Sequence, residues 1–450
     1  MSFSVRGWRW ALLAALFGSV ACAGDGQVGA DGDADIRVEV ESEVVASEVA
    51  EGDGETGDGD DDGDGETGDV EDDDGEVVPQ GPVRQVGIEV EESDWARIHA
   101  DPEALIEGPC VVVIDGERVP DSAIELHGGY GRVVDKKSYR VVMPDEADVE
   151  LDLFGDGEER QRRFVLKASW IDRSFLREWL TMRLVRGEGG LAPRIGFAEV
   201  TVNGQWHGLY LLVERIDRPY LERNGLESEA VQLYKAENHN ANWEDKADPL
   251  AGYDVQLGDV SNVEGLAALL RAVTRTATTE EAFRLEVEPR VSLEDFLVWQ
   301  RVHTFAGNRD TFTKNYYLYQ DLTADVGTPD ARFRIVSWDG DAVFGIEWEG
   351  SRLPGDQRDW HGSDRFSPRL FSIATWKAQH REAYQAALDE RWAVETLASW
   401  VESEAQSIRA VARRDLSKWQ PDLDFDEEVE RLIEVIEKRH TIMTEVMERL

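Results

Sequence analysis

FAEVTVNGQWHGLYLLVERID, residues 197–217, alternates large apolar side chains with small or polar ones on either side of a central Asn203-Gly204 pair. Asn-Gly accepts the positive φ angles of a tight two-residue turn, so the stretch reads as a β-hairpin with strands over 197–202 and 207–213. Working upstream, residues 85–90, 110–114, 122–126, 138–143 and 164–168 are β-branched or alternating runs. Asp-Gly, Pro-Asp and glycine-rich turns separate most of them, which makes the first part of the chain mostly sheet. A helix-like turn starts at Ser93. One long helix interrupts the strands: Asp172 or Ser174 caps it, Phe175, Trp179, Met182 and Leu184 form its apolar stripe, and Gly187 ends it.

Downstream of the hairpin, the pattern turns helical from Val255, with helices near 264–276 and 292–305, then strands over 316–320 and 333–338, then helices to Leu450. A β-rich half with one long helix, followed by a mostly helical half, predicts a two-lobed α+β architecture. Two unrelated domains would satisfy the same pattern.

The ends and the charge bound what this fold serves. Arg6 and Arg9 precede an apolar run over 10–17, and small residues lead to Cys22, the layout of a secretory signal over residues 1–22. Cleavage before Cys22 would leave a lipid-anchored envelope or cell-surface protein, with Ser19 standing where the processing motif usually has Leu; an ordinary exported protein cut nearby is the alternative. Any membrane attachment would run through lipid on Cys22, since the apolar run is far shorter than the ~20 residues of a spanning helix. The other cysteine, Cys110, then has no partner for an intramolecular disulfide.

The formal charge of −45 is concentrated early, because residues 23–83 hold 23 Asp or Glu against a single basic residue, Arg37. Such a segment cannot bury enough surface to offset its ordering entropy and is expected to be a disordered acidic Asp/Glu/Gly linker. It repeats GDGETGD at 52–58 and 63–69. Asp58, Asp60, Asp62, Gly63, Glu66 and Asp69 match the ligand spacing of a calcium loop, although Asp69 replaces the usual Glu and no helices flank it. Low-complexity drift is the plainer explanation of the repeat. The acidic balance argues against nucleic acid and for basic partners.

Several segments in order, HGGYGRVVDKKSYRVVM, LKASWIDRSFLREWLTMRL, the hairpin itself, QLYKAE, GNRDTFTKNYYLYQD and RIVSWDGDAVFG, resemble the CotH family of atypical kinase-like proteins. The resemblance implies a kinase-like domain over 84–450, with a β-rich N-lobe over about 84–215 and a mostly helical C-lobe over 216–450. It also implies ATP with Mg²⁺ or Mn²⁺ as cofactors, and phosphoryl transfer to Ser or Thr of a surface or envelope protein. The acidic surface makes a basic acceptor the expectation, and the chain is expected to act as a monomer. The competing implication is a non-catalytic surface or adhesion protein that keeps the fold.

Phosphoryl transfer needs metal ions on the phosphate oxygens and a carboxylate that orients the acceptor hydroxyl and takes its proton. Asp310 lies five residues before Asn315, the separation of a kinase catalytic loop, so Asp310 is the candidate catalytic base and Asn315 a metal ligand. Arg309 keeps that loop's arginine, while Asn308 replaces its histidine. Asp339 ends an apolar strand and is expected to bind metal, with Asp341 as a second ligand or its support; turn capping is the plainer role for both. Gly128, Gly129 and Gly131 would let backbone N–H groups approach phosphates, or simply make a turn. Relatives carry an Arg near the position of His127.

Two lysines compete for the phosphates. The family's Lys-Ser-Tyr segment favours Lys137, with Lys136 a solvated neighbour; Lys167, with Glu178 on the following helix as its partner, is the alternative. Glu214 and Lys235 match family positions bordering the nucleotide, with surface salt bridging the other reading, and Arg177 fits a structural ion pair. No HExxH, CxxC, Gly-x-Ser-x-Gly or GxxxxGK[ST] pattern is present, which argues against zinc, serine-hydrolase and P-loop chemistry.

Overall fold

Seven strands close into a barrel. The computed structural model describes residues 83–145, 153–154, 162–275, 279–325 and 327–450. All of these belong to one unit, Asp73–Leu450. The expected leader with Cys22, the acidic segment up to residue 82 and the expected calcium spacing between Asp58 and Asp69 lie outside the described residues.

Strand β1 (Arg84–Glu89) is followed by helix α1 (Glu92–Ala100), then β2 (Gly108–Ile114) and β3 (Glu117–Leu126). Asp115 and Gly116 link β2 and β3 with φ of +50° and +92°. β4 (Tyr139–Val142) and β5 (Arg163–Lys167) continue the antiparallel run. After helix α2 (Arg177–Gly187) comes the hairpin of β6 (Ile195–Val202) and β7 (Gln205–Glu214), turning at Asn203 and Gly204 with φ of +49° and +73° as the Asn-Gly pair predicts. The order is β1-β2-β3-β4-β5-β7-β6, and parallel pairing of β1 with β6, from Arg84 opposite Ala198 to Ile88 opposite Val202, closes it.

Alternation along these strands turns Val86, Val112, Ile124, Val141, Leu166 and Leu212 into the barrel interior, each at most 2% exposed. Cys110 is buried there as a free thiol. Helix α1 presses Ile98 onto β2 at Gly108, where a Cβ would lie 2.5 Å from the Ile98 side chain, so any larger residue there would push the end of Ile98 aside.

Helix α3 (Arg218–Arg223) leads to a second sheet built from β8 (Val231–Ala236), β9 (Tyr253–Leu257), β10 (Tyr316–Asp321) and β11 (Arg334–Ser337), in the antiparallel order β11-β10-β8-β9. Between β9 and β10 lie α4 (Glu264–Thr274), α5 (Glu280–Glu286) and α6 (Leu293–Phe305), the last capped by Ser292, whose hydroxyl accepts from the Asp295 amide. The chain ends with α7 (Ser367–Leu370), α8 (Ala374–Ala386), α9 (Val394–Trp419) and α10 (Phe425–Arg449). No helix among the described residues is long and apolar enough to cross a membrane.

A closed seven-stranded barrel, a second four-stranded sheet and ten helices among the described residues do not fit the expected α+β, two-lobed kinase-like fold with a mostly helical C-lobe. Two features defeated the sequence reading. The closing partners β1 and β6 are far apart in the chain, so local patterning carries no trace of the closure. Strands β8 and β9 are short, and β9 falls where the pattern was read as turning helical.

Candidate active site

The second sheet explains how distant residues meet. Tyr316 at the start of β10 pairs with Ser337 at the end of β11, so Asn315 and the Trp338-Asp339 segment leave the same end of the sheet side by side. Tyr317 pairs in turn with Lys235 on β8. Asn315 and Asp339 both adopt φ of +58°, a left-handed conformation that Asn and Asp tolerate better than other side chains and that marks the loop ends of these strands. Gly340 lies against α2, where a Cβ would come within 2.9 Å of Met182 and 3.1 Å of Thr181, so the loop carrying Asp339 and Asp341 packs directly on that helix.

Across from this sheet end stands Lys167, the last residue of β5. Its ammonium lies 2.6 Å from Glu178 in the first turn of α2, 2.5 Å from Asp339 and 3.1 Å from Asp341. Three carboxylates thus crowd one cation, with an oxygen from each lying within 4.8 Å of the others. Glu178 is 1% exposed, whereas Asp339 keeps 36% of its side-chain surface open to the cleft. Burial disfavours the Lys167 ammonium, but the carboxylates outweigh it and hold the group well above its usual value. Burial pushes Glu178 up to about 7 and Asp341 to about 6 against the pull of Lys167. Asp339 ends below its usual value, because Lys167 overcomes the effect of burial. Hard oxygen donors in this number suit Mg²⁺ or Mn²⁺.

Asp310 faces the same space. Its carboxylate accepts from Asn315 Nδ2 at 3.0 Å and pairs with Lys314 at 3.0 Å. Burial raises its pKa, tempered by Lys314. The loop that presents it is anchored from below: the Asn308 side chain accepts from the Asp310 and Thr311 amides at 2.8 and 3.2 Å and donates to His303 Nδ1 at 3.1 Å. With that nitrogen accepting, His303 Nε2 carries the proton and donates to Ser337 Oγ at 3.2 Å, two residues before Asp339. One buried ring therefore links the loop of Asp310 to the strand that ends at Asp339.

These groups line a cleft of about 580 Å³ between the outer face of the barrel and the second sheet. Of the residues expected from the sequence, Asp310, Asn315, Asp339, Asp341, Lys167, Lys235, Gly128 and Gly129 all line it, and Glu178 meets Lys167 as anticipated. Lys137 does not: its ammonium donates to the Val134 carbonyl at 2.5 Å, away from the carboxylates. Glu214 does not either. It is buried and ion-paired with Arg194 at 2.9 Å and Arg223 at 2.8 Å, in the interior rather than at a surface salt bridge. Arg177 makes the expected structural pair, 2.7 Å from Asp172, with both side chains fully buried.

Lys136 is no solvated neighbour. It is buried 2.8 Å from Asp415 of α9, and its ammonium stands 4.6 Å from the Tyr210 ring centre. Sequence reasoning missed the linking role of His303 and the placement of Trp338, Tyr317 and Arg215 on the cleft wall. The last was legible, since strand alternation sets Arg215 on the side of Val213, which lines the cleft.

Comparison with known proteins adds an independent line. The chain is 24% identical over 339 residues to the inner spore coat protein H of Bacillus subtilis (strain 168), covering 74% of this chain and 88% of that protein. It also overlaps the Shewanella oneidensis MR-1 toxin–antitoxin complex of HipA, HipB and operator DNA at 14% identity, over 69% of this chain and 59% of that one. With a TM-score of 0.28, that overlap decides nothing about fold. The family described as CotH kinase protein matches residues 124–443, a span holding every cleft residue from His127 to Trp348. The chain belongs to the CotH family.

Proposed function

We propose that this chain is a metal-dependent protein kinase of the exported or cell-surface space, transferring the γ-phosphate of ATP to a Ser or Thr hydroxyl. What carries the reading is the convergence of Asp310 and Asn315 with the Lys167, Glu178, Asp339 and Asp341 cluster at one cleft. In this reading Asp310 accepts the acceptor hydroxyl's proton while its oxygen bonds to the γ-phosphorus and ADP leaves with the bridging oxygen. Asp339, Asp341 and Asn315 would hold Mg²⁺ or Mn²⁺, which neutralises phosphate oxygens when bound. The net charge of −45 suits a basic acceptor protein, and the name of the Bacillus subtilis relative, a spore coat protein, supports a location outside the cytoplasm.

The test is transfer of labelled phosphate by the full chain to itself or to a basic protein with Mg²⁺ or Mn²⁺. Transfer that disappears in both Asp310→Ala and Asp339→Ala is the expected result; no transfer under any of these conditions would count against it.

One observation favours a second reading, a recognition protein without catalysis: Lys167 is committed to three carboxylates, Glu178, Asp339 and Asp341, rather than held ready for phosphates. Thermal stabilisation by ATP with metal, lost in Asp339→Ala, separates the two. A recognition protein would show no such shift.

A further inference from the structure

Six Arg or Lys residues among the described residues line the cleft, and five have acidic partners. Lys167 contacts Glu178, Asp339 and Asp341, which engages all three of its ammonium protons. Lys235 lies 2.6 Å from Glu237 and Lys314 3.0 Å from Asp310. Arg140 is 2.8 Å from Glu125, and Arg132 is 3.9 Å from Glu103. Arg215 is the sixth, and no carboxylate among the described residues stands within salt-bridge distance of it. Its chain neighbour Glu214 is committed to Arg194 and Arg223.

A guanidinium stays charged at any pH a cell experiences, so a partly buried one without a counter-ion is costly to hold. Its surroundings increase that cost. Burial and the charges of Arg140 and Arg163 act against the Arg215 cation, relieved in part by Tyr317 and Asp217. The ring of His127, beside the glycine turn, offers no second cation: burial together with Lys235 and Arg215 brings it down to about 3, so it is neutral. Lys235 and Arg215 thus act on the same point of the cleft, next to Gly128 and Gly129.

We infer that Arg215 is the phosphate-reading cation of the cleft, forking its N–H groups onto an oxyanion of a bound polyphosphate beside Lys235. The inference rests on the nucleotide-binding reading above and goes beyond it by naming the residue that supplies the missing positive charge. Lys167 is engaged by carboxylates, whereas Arg215 is available without breaking a pair. Guanidinium also matches phosphate geometry in a way that a lysine does not.

Calorimetry on the full chain tests this with three probes, ATP, inorganic tripolyphosphate and adenosine, each with Mg²⁺, against Arg215→Gln and Arg215→Lys. Losing a charge-assisted contact of this kind weakens binding roughly ten- to a hundredfold. The expected result is that Arg215→Gln weakens ATP and tripolyphosphate alike by at least about tenfold. Adenosine binding stays unchanged, and Arg215→Lys falls between. Thermal midpoints of the variants check that they are folded, and a misfolded Arg215→Gln leaves Arg215→Lys to carry the comparison. If the parent binds ATP but Arg215→Gln binds tripolyphosphate as tightly as the parent, the assignment of Arg215 is overturned while the nucleotide reading stands. If ATP weakens and tripolyphosphate does not, Arg215 reads the nucleoside and the assignment is again overturned. If the parent binds neither ATP nor tripolyphosphate, both readings fall.

Discussion

Lys136 and Lys167 are both lysines set against carboxylates, yet their surroundings differ in stoichiometry and in access. Lys136 faces one acid, Asp415, and both side chains are almost completely enclosed, at 1% and 2% exposed. The Leu209 carbonyl takes a further bond from its ammonium, and the Leu209 amide donates to Asp415 at 2.7 Å, so the pair is satisfied within the protein. Lys167 faces three acids, and two of them open onto a cleft. A closed one-to-one pair ties strand β7 and the loop before β4 to helix α9. An open site with excess negative charge is suited to receiving a cation. The same two residue types build a fastener in one place and a receptor in the other.

The largest expected effect separates them by function. Asp339→Asn should lower phosphate transfer by roughly 10²–10⁴-fold, the range for loss of a group acting at the reaction centre, while moving the thermal midpoint little. Labelled-phosphate assays beside calorimetric scans check both halves, and a large drop in midpoint would erase the contrast. Asp415→Ala should do the reverse. It strands a buried ammonium and should cost about 3–5 kcal/mol in denaturant unfolding. Loss well under 1 kcal/mol would mean that the closed pair fastens nothing.

Titration sharpens the same contrast. His303 and His380, 0% and 1% exposed, are depressed to about 3 by burial, so the unfolded chain binds their protons first as pH falls. Their contribution is therefore present above about 6.5 and is lost on acidification. At pH 5 the loss is roughly 2 kcal/mol per ring. The stability gap between the parent and His303→Gln should accordingly narrow by about 2 kcal/mol between pH 7 and pH 5 in urea titrations. The cleft runs the opposite way: Glu178 at about 7 and Asp341 at about 6 take up protons before the unfolded chain does, so their mutual repulsion eases as pH falls. The smallest effect is expected at Gly340→Ala, where the added methyl meets the flexible end of Met182 and the side chain of Thr181. A cost of about 1 kcal/mol is anticipated, with phosphate transfer falling more than stability because Asp339 is displaced.

Much of the local structure was legible, because its signals are local. The Asn203-Gly204 turn and the end of α2 at Gly187 each follow from one or two residues. Asp310, Asn315 and Asp339 were legible as a set from spacing and family resemblance, and the pairing of Tyr316 with Ser337 gives the reason they meet. Choosing between Lys137 and Lys167 was beyond the sequence, since both precede or end strands and only the register of β5 against β7 decides which faces the acids. The role of Lys136 was hidden for the same reason: Asp415 is far along the chain, and nothing near position 136 announces it. Closure of the barrel failed for a third reason, because a parallel pairing between distant strands leaves no turn residues to read.

That closure has a consequence for how the molecule is made. β1 carries the first described strand, yet its partner on one side is β6, with Gln85 bonded to Glu199 across a separation of 114 residues. A chain delivered amino-terminus first must hold its opening strand in waiting until the hairpin at 203–204 has emerged. Such late joining of remote segments slows folding relative to contacts made between neighbours. Once joined, the strands of the cylinder leave no unpaired flank for another copy to extend.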